Sequence, residues 1–160
     1  MHGSYTRFFA MIATSTALML ALMYLNTYAI DHVFFSETRV YMALYMGAAM
    51  MVVMLAFMLH MYRNRTANIA IFAAAVVIFS GALFLVRSQE TIQDAAWMKA
   101  MIPHHSIAIL TSRRAELSDP RVRDLAERIV EAQVKEIAEM KALIADLEGE
   151  TNERRVGSAN

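Results

Sequence analysis

The sequence contains no cysteine, and only two prolines and five glycines among 160 residues. Disulfides and thiolate metal sites are therefore excluded. Both prolines, Pro103 and Pro120, fall after residue 100, so no proline kinks any helix in the first hundred residues. Charge of either sign is nearly missing from the first half. Residues 1–86 hold Arg7, Arg39, Arg63 and Arg65 against Asp31 and Glu37, while residues 87–160 hold the other eleven basic and thirteen acidic groups. A half with so few charges cannot form the surface of an 18.0 kDa soluble globule, because a chain this small exposes too much of itself to water. An ordinary cytosolic enzyme is therefore not expected. The formal net charge of zero, with no basic run, also removes the electrostatic basis for nucleic-acid binding.

What fills the first half is hydrocarbon. Three apolar runs, about 8–30, 40–62 and 69–86, match the roughly 20 residues that a helix needs to cross about 30 Å of bilayer core. Each must be helical, because inside lipid every backbone N–H and C=O has to be paired within the segment. The first run is longer than a secretory h-region and lacks a clear small-residue cleavage site. Residues 1–87 thus read as a three-helix membrane anchor. The positive-inside rule places Arg7, Arg63 and Arg65 on the cytoplasmic side, and the loop Asp31–Arg39 and the polar second half outside. In a bacterium that is an inner-membrane protein with a periplasmic C-terminal half. Tyr24, Tyr28, Phe34 and Phe35 fit an outer aromatic belt and Tyr62 an inner one, while Asn26 and His60 fall near the interfaces. Asp31, His32 and Glu37 read as a solvated loop, with a weak metal or proton site as the alternative.

The second run carries Met42, Met46, Met50, Met54, Met58 and Met61, with Met51 beside them. Steps of four and three keep the thioethers near one helix face. Two readings stand: a soft-ligand ladder for Cu(I) or Ag(I), or, preferred, flexible filling of a helix seam. Ala43 and Gly47, four apart, also point to close helix packing.

After Arg87 the pattern becomes amphipathic. Asp94, Trp97, Met98, Met101, His104, His105, Ala108 and Thr111 follow helical steps to about Leu117, with Pro103 expected to kink the helix beside the histidines. Ser118-Asp119-Pro120 reads as a turn with Asp119 as N-cap. A second helix runs to about Glu148 through Val122, Leu125, Ile129, Gln133, Glu136, Ile137, Met140 and Ile144, and residues 149–160 read as a disordered polar tail. Folded as an antiparallel hairpin, 88–148, the two helices set Met98 against Met140, Met101 against Ile137 with Glu136 adjacent, and His105 against Gln133. Thioether and neutral imidazole suit Cu(I), and imidazole with Glu136 suits Cu(II) or Zn(II). His104 and His105 point about 100° apart, so one serves the hairpin and the other a partner unless the Pro103 kink turns them together. A hairpin of about 55 residues has little core of its own. Self-association, most simply a dimer completing a four-helix bundle, is therefore expected.

The runs Met98-Lys-Ala-Met-Ile-Pro-His-His-Ser-Ile-Ala-Ile-Leu110, Asp119-Pro-Arg-Val122 and Gln133-Val-Lys-Glu-Ile-Ala-Glu-Met140 resemble the bacterial domain-of-unknown-function family 305, and the anchor is similar to that of its membrane-anchored subset. The resemblance implies a ferritin-like helical fold, some of whose members are associated with copper binding and tolerance in the periplasm. Carried over by position, it marks Met98, Met101, His104, His105 and Met140 as the Met/His pattern and Gln133 and Glu136 as the second motif. Thr111 stands where many members have Met, so one soft donor is missing.

The expectation is an all-α, non-enzymatic membrane protein whose hairpin binds copper for buffering, tolerance or hand-over. The ligands are Met98, Met101, His104, His105, Glu136 and Met140, with zinc as the alternative ion. The partners expected are the lipid bilayer and a second copy or larger membrane complex. The competing reading is an accessory or scaffold subunit whose His/Met face serves packing. Di-metal oxidase chemistry uses inward carboxylates and a Glu-x-x-His pair, which are not found around His104 and His105, and no Ser or Cys nucleophile with a placed base is visible.

Overall fold

In a computed structural model, which describes residues 4–157, the chain is all-helical: five α-helices and one short 3₁₀ turn, with no strand among the described residues. The helices are α1 (Tyr5–Leu22), α2 (Glu37–Met58), α3 (Arg65–Ser88), α4 (Asp94–Arg114) and α5 (Pro120–Gly157); the 3₁₀ turn is Ile30–His32. The described residues fall into two compact units that do not follow chain order: 4–23 with 37–91, and 24–36 with 92–157.

In the first unit α2 packs against both α1 and α3. All three helices are long and apolar enough to cross a membrane, at 18, 22 and 24 residues. Large side chains such as Phe9, Leu18, Phe57, Val77 and Phe84 lie open on their surfaces, as lipid-facing residues do. Lipid is as apolar as Leu, so close packing and buried hydrogen bonds hold such helices together. Both are present. Gly47 is buried where a Cβ would lie 2.4 Å from Thr16 Oγ1, so only glycine lets α2 approach α1 this closely. Asn68 is buried and satisfied, accepting from the Tyr5 hydroxyl (2.8 Å) and donating to the Tyr62 carbonyl (2.7 Å). Met50, Met51, Met54, Met58 and Met61 are half-buried against the cluster of Phe8, Ile12, Leu55, Tyr62 and Ile71, which is the seam-filling arrangement.

Boundaries move where tertiary contacts take over. The first apolar run extends to Ile30, but α1 stops at Leu22, and residues 24–36 join the second unit. Helix α2 ends at Met58, so Met61 lies in the following turn, where Tyr62 enters the core and Asn64 caps α3 through the Ala67 N–H. Helix α4 ends at Arg114, short of Leu117, and remains helical through the buried Pro103. Helix α5 starts at Pro120 with the Asp119 carboxylate accepting from the Arg121 N–H (2.8 Å), the capping expected there. It continues past Glu148 to Gly157. One glycine costs a helix about 1 kcal/mol relative to Ala, too little for Gly149 to end a run of good helix formers such as Glu148, Glu150, Glu153 and Arg154. The remainder of the expected tail, 158–160, lies outside the described residues.

Candidate functional site

The second unit is the α4–α5 hairpin with residues 24–36 laid against it. Its core is Met98, Ile102 and Ile109 from α4 against Ile137, Met140 and Ile144 from α5, with Phe34, Met101, Val130 and Leu147 packed at the margin. The intervals of three and four that bury these residues also fix what flanks them. On α4 they send His105 to one side of the core line and Ser106 to the other.

On the His105 side, Nδ1 lies 2.9 Å from the Met101 carbonyl oxygen. A carbonyl only accepts, so this ring nitrogen carries the proton. The other, Nε2, lies 2.8 Å from Glu136 Oε2 across the seam. Gln133 Nε2 approaches the same oxygen at 3.4 Å. With Nδ1 committed, neutral imidazole presents a lone pair at Nε2 and an ionised carboxylate presents another. At 2.8 Å the two are at hydrogen-bond distance, so with a proton between them they form an imidazole–carboxylate pair. The His105 side chain is 14% exposed and Glu136 50%, so the pair sits at a half-open edge of the seam.

Of the six residues expected as ligands, this edge brings together His105 and Glu136, while half-buried Met101 packs against the core and contributes its carbonyl to His105. Met98 and Met140 are both buried in the hairpin core, at 5% and 7% exposure. His104 is exposed, its ring 6.4 Å from that of His105 and inclined by 71°, so the two imidazoles part as their 100° offset dictates. His105 meets Glu136 where Gln133 was expected, and Gln133 instead contacts the carboxylate. Among the described residues no three His, Cys, Asp or Glu side chains cluster.

The opposite side was not legible in the sequence. Ser106, fully buried, accepts from the Tyr28 N–H (2.7 Å) and lies 2.9 Å from His32 Nδ1. Lys141 Nζ reaches Asp31 Oδ2 at 2.6 Å, and Arg113 donates to the Tyr28 hydroxyl while stacking over its ring at 5.0 Å. Asp31 stays largely exposed, as a solvated loop implies, while His32 is turned inward onto Ser106. Burial pushes the His32 imidazole below its usual value, Asp31 pulling it up and Lys141 further down. The Lys141 hydrogen bond lowers Asp31. The one available signal was a serine on the helix line of Ile102 and Ile109, a polar group in a core position that must find partners.

Residues 85–156 match the family described as "Domain of unknown function (DUF305)". They are a DUF305 domain. The DUF305 segment starts in the last turn of α3, contains the Met101-Ile-Pro-His-His105 run, and reaches nearly the end of α5. "Uncharacterized protein L153" of Acanthamoeba polyphaga mimivirus is 33% identical over 87 residues, 53% of this chain and 55% of that protein. The chain thus spans about half the length of this curated relative. No solved structure matches the chain.

Proposed function

We propose that this chain is a membrane-anchored metal-binding protein whose α4–α5 hairpin holds copper, Cu(I) by preference, to buffer it or hand it on. The observation supporting this is the division of labour in the His105 ring: Nδ1–H is tied to the Met101 carbonyl, and Nε2 faces Glu136 at 2.8 Å. Metal-binding imidazoles are typically held this way, one nitrogen donating to a carbonyl so that the other presents its lone pair in a fixed direction. Met101, one turn before His105, would supply a thioether, the donor that favours Cu(I), with Met98 and Met140 behind it in the seam. Glu136 would act as a hard ligand or orient one, and His104 would offer a second imidazole from the outer side. Imidazole with carboxylate makes Zn(II) the alternative. The chain binds an ion and makes no covalent change. The proposed setting is a bacterial inner membrane, with the amino terminus cytoplasmic and the hairpin periplasmic, on the lysine and arginine distribution of the short flanks.

The test is metal analysis of untagged protein as purified, followed by Cu(I) titration against a competing chelator. A His104→Ala/His105→Ala double variant should lose at least about tenfold in affinity, the scale on which ligand-shell changes act. Equal stoichiometry and affinity in variant and parent would remove the assignment.

A further inference from the structure

The three-helix unit separates its charges by end. Residues 1–30 and 38–89 contain no Asp or Glu, and the carboxylates of Glu37 and Glu90 belong to the end where α2 begins and α3 has finished. Arg7, Arg63 and Arg65 lie at the other end, where α1 and α3 begin. A packed cluster fixes them there. The Tyr5 hydroxyl donates to the Asn68 side-chain oxygen (2.8 Å) and lies 3.3 Å from the Asn64 carbonyl oxygen, while the rings of Tyr5 and Phe8 are centred 4.9 and 5.6 Å from that of Tyr62. Arg7 follows Tyr5 by two residues, and Arg63 and Arg65 flank Asn64, so the first turn of α1 and the α2–α3 turn carry three guanidinium groups at one end of the unit. All three are exposed, and among the described residues none pairs with a carboxylate. Their depth is set by what lies next to them. Phe9 and Ile69, exposed apolar side chains of the spans, are two and four residues inward from Arg7 and Arg65, within one helical turn or roughly 6 Å.

We propose that this arginine surface is a headgroup site for an acidic phospholipid, in the leaflet where α1 and α3 begin, and that the protein selects such lipids from the bilayer. The inference uses the membrane-spanning helices alone and is independent of the metal site. Charge supplies the first argument: three cations share one end that offers them no counter-charge, and a phosphate oxygen pair matches the planar fork of a guanidinium. Depth supplies the second. An occupant that reaches these arginines must be anionic where they stand and hydrocarbon one turn further in, beside Phe9 and Ile69, and a phospholipid has that order of groups whereas a soluble acidic peptide or free phosphate does not. The net charge of the headgroup supplies the third. A zwitterionic lipid also carries a phosphate, but its own ammonium group repels the arginines, so lipids with net negative charge are preferred. Each basic residue near an acidic membrane surface contributes about fivefold in affinity, and three together make a selective site.

The experiment offers the full-length protein in detergent an equimolar mixture of phosphatidylglycerol and phosphatidylcholine with the same acyl chains, and counts the lipid retained per chain by native mass spectrometry. The parent should retain phosphatidylglycerol over phosphatidylcholine by about tenfold or more. Arg7→Gln should lower that preference about fivefold, and Arg63→Gln/Arg65→Gln by more, with the parent's helical circular dichroism kept. Arg7→Lys, which keeps the charge, should retain most of the preference, and so should Arg87→Gln, which removes an exposed arginine from the opposite end of α3. Inorganic phosphate at the lipid concentration should displace nothing. Equal retention of the two lipids by the parent would overturn the proposal without recourse to any variant. An unchanged preference in both arginine-to-glutamine variants, or an equal loss in Arg87→Gln, would overturn the assignment to this end, and displacement by inorganic phosphate would overturn the lipid as its occupant.

Discussion

Ser106 and His105 are chain neighbours with separate obligations, and the helix assigns them. Ser106 Oγ is buried and accepts the Tyr28 N–H, so Ser106→Ala should leave that amide without a partner and destabilise the second unit by about 1–3 kcal/mol. Thermal unfolding of the purified protein measures the loss, and unchanged metal affinity beside it would show that the two flanks act separately. His32 sets the pH response. Its folded value lies below the unfolded one, so the unit is fully stable above the ordinary imidazole range and loses that stability as pH falls through the lowered value. Asp31, also lowered, acts in the same direction in a more acidic window. Between about pH 7.5 and about pH 5 the unfolding midpoint should fall more steeply in the parent than in His32→Asn, which keeps an acceptor and cannot take up the proton. Parallel slopes would show that His32 does not carry the response.

At the scale of the element, the α1–α2 contact turns on one missing methyl group. Gly47→Ala would bring a Cβ to 2.4 Å from Thr16 Oγ1 and 3.1 Å from its Cγ2. Overpacking of this kind costs about 1–3 kcal/mol. Thr16→Ala removes both obstructing atoms, so the double variant should regain most of the thermal midpoint that Gly47→Ala loses. Failure of the rescue would place the strain elsewhere. The small-xxx-small spacing of Ala43 and Gly47 revealed this contact in advance, because close approach requires small residues at helical intervals. The end of α1 was not revealed. Leu25, Tyr28 and Ile30 continue the apolar composition of the run, and only Asn26 and Thr27 interrupt it. Beyond its end, Tyr28 takes partners far along the chain, Ser106 and Arg113.

For the whole molecule, the division into an apolar three-helix unit and a charged hairpin unit follows from composition. The charge asymmetry between residues 1–86 and 87–160 is already the asymmetry between lipid-compatible and water-compatible surface. Span number, hairpin topology, the core facing of Met98 and Met140, and the parting of His104 from His105 are periodic signals. Helix geometry converts sequence spacing directly into direction, so the sequence alone determined them. Two things were decided only by the tertiary structure: the docking of residues 24–36 on the hairpin, and the choice of Glu136 over Gln133 as the partner of His105. The first joins groups 110 positions apart, as in Asp31 to Lys141, for which no local pattern exists. The second depends on a shift of less than one helical turn between two packed helices. That shift is set by how the side chains of Ile102, Ile109, Ile137 and Ile144 interlock, and their spacing within each helix carries no information about the register between helices.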